Sequence, residues 1–87
     1  MTLSGKDKRQ LRAQGSRLKD KATIGKAGLT DELITHINHL LDNESLIKIR
    51  LTEERGADRK AAAALIAEAV NAEVAGVVGR TVLLYRE

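Results

Sequence analysis

The stretch KATIGKAGLTDELI, residues 21–34, passes from a β-branched run through two glycines into a capped helix. "KATI" reads as a short strand. Thr30 is the N-cap, because its hydroxyl can accept from a free amide of the first turn, and Asp31 and Glu32 bring negative charge there. Leu29 and Ile34 stand at N′ and N4, the spacing of a hydrophobic staple. Leu33, Ile34, Ile37, Leu40 and Leu41 follow one helical stripe. Asn43 is the expected C-cap. A strand therefore feeds a helix through a glycine loop, as the first half of a crossover unit does.

The second half is "LIKIRL", residues 46–51. Alternation puts Ile47, Ile49 and Leu51 on one face and Lys48 and Arg50 on the other, so one face is expected covered and the other wet and basic. Downstream, Asp58 is expected to cap a third helix whose stripe is Ala62, Leu65, Ile66, Ala69 and Val70. "EVAGVV" and "TVLLYR" are β-rich runs separated by Gly79-Arg80, which suits a type II′ hairpin. Upstream, Ser4 and Asp7 make a capping box for a basic helix expected to run to about Leu18. That helix has only Leu11 and Leu18, with Ala13 nearby, to dock by, and Gly15 reads as a weak point in it. The order α-β-α-β-α-β-β predicts an α/β domain over residues 1–87, with a mixed four-stranded sheet and helices packed on it.

Charge is distributed unevenly. Residues 1–28 hold eight Lys and Arg against two Asp, whereas residues 29–79 hold five basic and nine acidic side chains. A basic front on a mildly acidic body is the footprint of a polyanion-binding face. There is no cysteine, which excludes disulfides and thiolate metal sites. No apolar run approaches the length of a membrane span, and the basic N-terminus has no apolar stretch behind it. A cytoplasmic protein is the expectation.

Two GxxG spacings occur, "GKAG" at 25–28 and "GVVG" at 76–79. The second has apolar interior residues and lies in a strand-and-turn run, where Gly79 serves the hairpin. The first lies between a strand and a helix start. Its glycines allow close backbone approach to a ligand, its amides favour an anion, and Lys26 can reach a phosphate from the tip. It lacks the spacing of a Walker loop or a dinucleotide fingerprint. The loop looks like that of a KH domain, which clamps nucleic-acid backbone, but a KH loop joins two helices. His36 and His39 have no third ligand in register and read as surface residues, so no metal is expected. Glu53 and Glu54 read as solvated loop carboxylates. No catalytic constellation is visible, and the chain is read as a non-enzyme without cofactors. Tyr85 is the only aromatic residue, so stacking readers of the RRM and OB kinds are excluded, and Tyr85 is expected to pack on the sheet.

These features together resemble a known family. "LSGKDKRQLR" at 3–12, "IGKAGL" at 24–29, "LIKIRL" at 46–51 and "VVGRTVLLYR" at 77–86 look like the CRM domain, and more closely its stand-alone bacterial YhbY-type members. The resemblance covers nearly the whole chain. It implies a fold similar to the C-terminal domain of a bacterial translation initiation factor. It also implies RNA binding, with bacterial members associated with large-subunit ribosomal precursors and plant members with group II intron splicing. The family's loop falls on Gly25, Lys26, Ala27 and Gly28, its basic first helix on Lys6, Lys8, Arg9 and Arg12, and its GRT hairpin on Gly79, Arg80 and Thr81. Two departures stand out: members often have glycine where Ala27 stands, and usually a better helix former than Gly15.

The expected function is binding of ribosomal RNA in large-subunit precursors, by a monomer. The RNA-contacting set is Gly25, Lys26, Ala27, Gly28, Lys6, Lys8, Arg9, Arg12, Lys19, Lys48, Arg50 and Arg80. The rival expectation is a protein-interaction module whose basic helix meets an acidic protein surface. A DNA-binding domain is disfavoured, because no pair of helices joined by a tight turn is visible.

Overall fold

Two helices begin where their sequences place the caps. A computed structural model describes residues 4–52 and 57–86. In α1 (Gly5–Gly15) the Ser4 hydroxyl accepts from the Asp7 amide and the Asp7 carboxylate accepts from the Ser4 amide, closing the capping box. In α2 (Asp31–Asn43) the Thr30 Oγ1 accepts from the Leu33 amide at 3.2 Å. Leu29 and Ile34 both pack against the main core. The remaining elements are β1 (Asp20–Ile24), β2 (Leu46–Leu51), α3 (Ala57–Ala69), β3 (Glu73–Val78) and β4 (Thr81–Tyr85).

The order is the expected one, and the strands form a single mixed sheet arranged β1-β2-β4-β3. β1 and β2 are parallel across the α2 crossover, while β4 is antiparallel to both β2 and β3. β1 and β3 are therefore the two edges. The register aligns Ile24 with Leu51, Arg50 with Thr81, and Val78 with Thr81. The carboxyl ends of β1, β2 and β3 thus lie at one end of the sheet, together with the β3–β4 turn. Gly79 in that turn has φ 58, as the first residue of a II′ turn does.

The sheet is covered on both faces. Ile37 and Leu41 of α2 and Ala63, Ile66, Ala67 and Val70 of α3 pack on Ile24, Ile47, Ile49, Leu51, Val82 and Leu84. On the opposite face Leu11 of α1 packs with Ala75, Leu83, Leu46 and Tyr85. Tyr85 is half-buried there, as expected. This second layer corrects the expectation that the Lys48 and Arg50 face of β2 is wet: α1 covers β3 and β4 and reaches β2 at Leu46, so Lys48 is half-buried and only Arg50 is exposed.

Gly15 has a different role from a weak point. A Cβ there would lie 2.5 Å from both Leu83 methyl carbons, so the glycine lets α1 sit directly on β4. The helix ends at this residue, short of Leu18. Two other boundaries shift. Asn43 is the last helical residue and Glu44 the cap. Asp58 lies in the first turn of α3 behind Ala57, and the residues before Ala57, including Glu53 and Glu54, lie outside the described residues, as does Leu3. The stripe of α3 is rotated from the expected one: Ala63, Ile66, Ala67 and Val70 are buried, while Leu65 is 64% exposed and Ala69 is exposed. An alanine-rich run has little apolar contrast around the helix, so the sheet, not the pattern, sets its phase.

The far end of the molecule is locked by Arg86. Its guanidinium donates to Asn38 Oδ1 at 2.8 Å, to the Asn38 and Val70 carbonyls, and to Asp42 Oδ1 at 2.9 Å. It ties the end of β4 to α2 and α3. α3 itself ends in a Schellman turn, with Asn71 at φ 53 and the Ala72 amide donating to the Ala67 carbonyl at 2.8 Å.

Candidate nucleic-acid interface

The GKAG segment is a closed four-residue turn at the carboxyl end of β1. The Gly28 amide donates to the Gly25 carbonyl at 3.0 Å, and Lys26 and Ala27 occupy the exposed tip. Only Gly28 has positive φ, at 72. Ala27 therefore sits in ordinary backbone space, and the family's frequent glycine is not needed at that position. The base of the turn is pinned by Thr52, whose amide and hydroxyl both donate to the Ile24 carbonyl at 3.1 Å.

Beside the turn is a shallow cleft of about 420 Å³, lined by Thr23, the four loop residues, Thr30, Glu32, Leu33 and His36. His36, read from sequence as a surface residue, is exposed and yet forms one wall of this cleft. Its position one turn and a half into α2, facing back towards the loop, is a signal that helical periodicity alone does not supply. Asp31 and Glu32 already neutralise the positive end of the α2 dipole. The positive charge beside the cleft is therefore carried by Lys26 more than by the helix terminus.

Arg80 joins this end of the molecule. Its carbonyl accepts from the Leu51 amide at 2.7 Å, and the next amide, of Thr52, donates to Ile24. The hairpin tip and the GKAG turn therefore flank the end of β2. The other cations are spread more widely. Lys19 precedes β1 at the opposite end of the strand. Lys48 is half-buried on β2, paired with Leu83 beneath α1. Lys6, Lys8, Arg9 and Arg12 are all exposed on α1.

Arg50 differs from the rest of the set. Its Nε lies 2.6 Å from Asp20 Oδ2, an ion pair joining β2 to β1. Lys21 similarly faces Glu44 at 3.6 Å. By contrast, Lys6, Lys8, Arg9, Arg12, Lys19, Lys26, Lys48 and Arg80 have no side-chain hydrogen bond or ion pair among the described residues. Unpaired cations retain the charge that a phosphate can neutralise. Among the described residues no three His, Cys, Asp or Glu side chains come together as metal ligands, and no helix is long and apolar enough to cross a membrane.

Comparison with known proteins places this arrangement. A family model described as the CRS1 / YhbY (CRM) domain matches residues 3–86. "Probable RNA-binding protein YqeI" of Bacillus subtilis (strain 168) is 29% identical over 85 residues, spanning 98% of this chain and 88% of its own. "Probable RNA-binding protein MJ0652" of Methanocaldococcus jannaschii is 34% identical over 86 residues, spanning 97% of this chain and 63% of its own. The solution structure of the hypothetical protein SAV1595 of Staphylococcus aureus, "a putative RNA binding protein", matches with a TM-score of 0.89 at 34% identity. That match covers 99% of this chain and 90% of that one.

Proposed function

The chain belongs to the CRS1/YhbY (CRM) domain family, and from that premise we propose that it binds RNA without catalysis, its target being ribosomal RNA of large-subunit precursors. The observation that carries the reading is the exposed GKAG turn. A lysine stands at its exposed tip between two glycines, and Arg80 flanks it across the end of β2. The names of the relatives point the same way.

In this reading the turn approaches a sugar–phosphate backbone closely, because Gly25 and Gly28 carry no side chain to hold it off. Lys26 and Arg80 neutralise phosphates at that end. Lys19 and Lys48, and the α1 cations Lys6, Lys8, Arg9 and Arg12, extend the basic surface. Arg50 contributes through its ion pair with Asp20, as a support for the β1–β2 edge more than as a free charge. With one half-buried tyrosine and no other aromatic side chain, the protein reads shape and backbone, and structured RNA is the preferred ligand.

The test is crosslinking in dividing cells followed by sequencing of the bound RNA. Enrichment of large-subunit precursor RNA is expected. Recovery of protein partners with no RNA would replace this reading with docking on an acidic protein surface. Competition by DNA duplex as effective as by RNA would remove the RNA preference.

A further inference from the structure

We propose that the groove between α1, β3 and α3 is a second phosphate-binding site, formed by Lys8, Arg12 and Lys60 at the sheet edge opposite the GKAG turn. The inference rests on the RNA-binding reading and adds to Lys8 and Arg12 a third cation, Lys60, that lies in neither the basic N-terminal segment nor the glycine loop. The groove measures about 530 Å³, and its charged lining residues are Lys8, Arg12 and Lys60, with no acid among them. Its floor is Ala75 and Gly76 of β3, an edge strand that pairs only with β4.

Lys60 is the residue that points to a ligand. It lies in the first turn of α3, where the helix dipole disfavours positive charge. Its neighbour Arg59 has a structural partner, the Gly79 carbonyl at 3.0 Å. Lys60 is exposed and has none among the described residues. A cation that breaks the local rule for its helix, and is repaid by no contact in the fold, is placed for something outside the fold. Lys8 and Arg12, from a helix on the other face of the sheet, line the same groove, and they too lack side-chain partners among the described residues. Like charges gathered around one concavity repel each other until a polyanion fills it.

Arg12 is also held in place. Its Cγ and Cδ lie 2.6 Å from where a Gly76 Cβ would stand, so the stem rests on bare backbone. Gly76 is thus a positioning residue for Arg12, which gives the first glycine of GVVG a role distinct from the turn made by Gly79. Ala64, Ala75 and Gly76 keep the groove shallow, as a passing sugar–phosphate strand requires. Three strand spacings separate β1 from β3, roughly 14 Å, so one RNA can touch both sites.

The test uses the full chain, a fluorescently labelled synthetic RNA stem-loop, and poly-L-glutamate as an acidic-polypeptide probe. Lys60→Gln should lower the magnitude of the slope of log affinity against log salt by about 0.7–0.9, the release accompanying one phosphate contact. Lys60→Glu should weaken binding roughly tenfold at low salt. Gly76→Ala, which displaces only the flexible Arg12 stem, should weaken it several-fold with unchanged circular dichroism. If Lys60→Gln and Lys60→Glu keep wild-type affinity and slope while Lys26→Asp/Ala27→Asp loses RNA, the groove is excluded and the loop reading stands. If the wild type binds no RNA at low salt, both fail. Tighter binding of poly-L-glutamate than of RNA, abolished by Lys60→Glu, would assign the groove to an acidic protein segment and overturn the proposal.

Discussion

Gly25–Gly28 and Gly76–Gly79 share a spacing and lie towards the same end of the sheet, one following edge strand β1 and the other completing edge strand β3. The interior of the first pair, Lys26 and Ala27, is exposed and makes no side-chain hydrogen bond or ion pair among the described residues. The interior of the second pair is strand: Val77 packs on the main core and Val78 pairs with Thr81. The glycines differ in the same sense. Gly25 meets nothing closer than Thr52 Oγ1 at 3.5 Å, whereas Gly76 is overlain by Arg12. A glycine spacing thus acquires its meaning from what packs over it. One pair leaves backbone open to a ligand, and the other lets the protein's own elements close up.

The largest expected effect separates the two pairs outright. Lys26→Asp with Ala27→Asp should weaken RNA binding roughly 100-fold at low salt, about 2.7 kcal/mol, with the thermal midpoint nearly unchanged because both positions are exposed. An unchanged affinity by fluorescence anisotropy would take the turn out of the interface. The matching change in the other pair, Val77→Asp, should act on stability, by about 1 kcal/mol in urea unfolding, because Val77 is half-buried against the core and loses that apolar contact. A Val77→Asp variant as stable as wild type would contradict the packing described for β3.

Smaller effects sharpen the contrast. Gly28→Ala and Gly79→Ala each force a side chain into positive φ and should each destabilise by about 1 kcal/mol. The first should weaken RNA binding more, since that glycine belongs to the GKAG turn while Gly79 borders only Arg80. Equal losses of affinity in both would indicate that the hairpin tip contributes as much as the GKAG turn. Gly25→Ala should change stability least, by less than about 0.5 kcal/mol, because its Cβ would make only an ordinary contact. Any loss of affinity in that variant therefore reports how closely the ligand approaches the backbone. Native-like affinity would show that the approach is through Lys26 alone.

Several features were legible in the chain because their causes span a few residues. The Ser4–Asp7 capping box, the Thr30 cap, the alternation of residues 46–51 and the glycine of the β3–β4 turn are local, and each appears where it is expected. Gly15 was legible only as a poor helix former, since the Leu83 methyls that require it lie far along the chain. Arg86 carried no local signal either, because its partners Asn38, Asp42 and Val70 come from two other helices and their flanks. Arg50 counted as a free cation until strand pairing brought Asp20 beside it.

The sequence by itself determined the element order, the caps, the loop between β1 and α2, and the basic charge of the first helix. These follow from dihedral preference, side-chain-to-backbone hydrogen bonding and periodicity, all short-range effects. The tertiary structure alone decided the strand order β1-β2-β4-β3, the face that α1 covers, the phase of α3 and the meeting of Lys60 with Arg12. Each of these depends on how well surfaces from distant segments pack, and an alanine-rich helix or a sparsely apolar basic one carries too little pattern to specify its partner in advance.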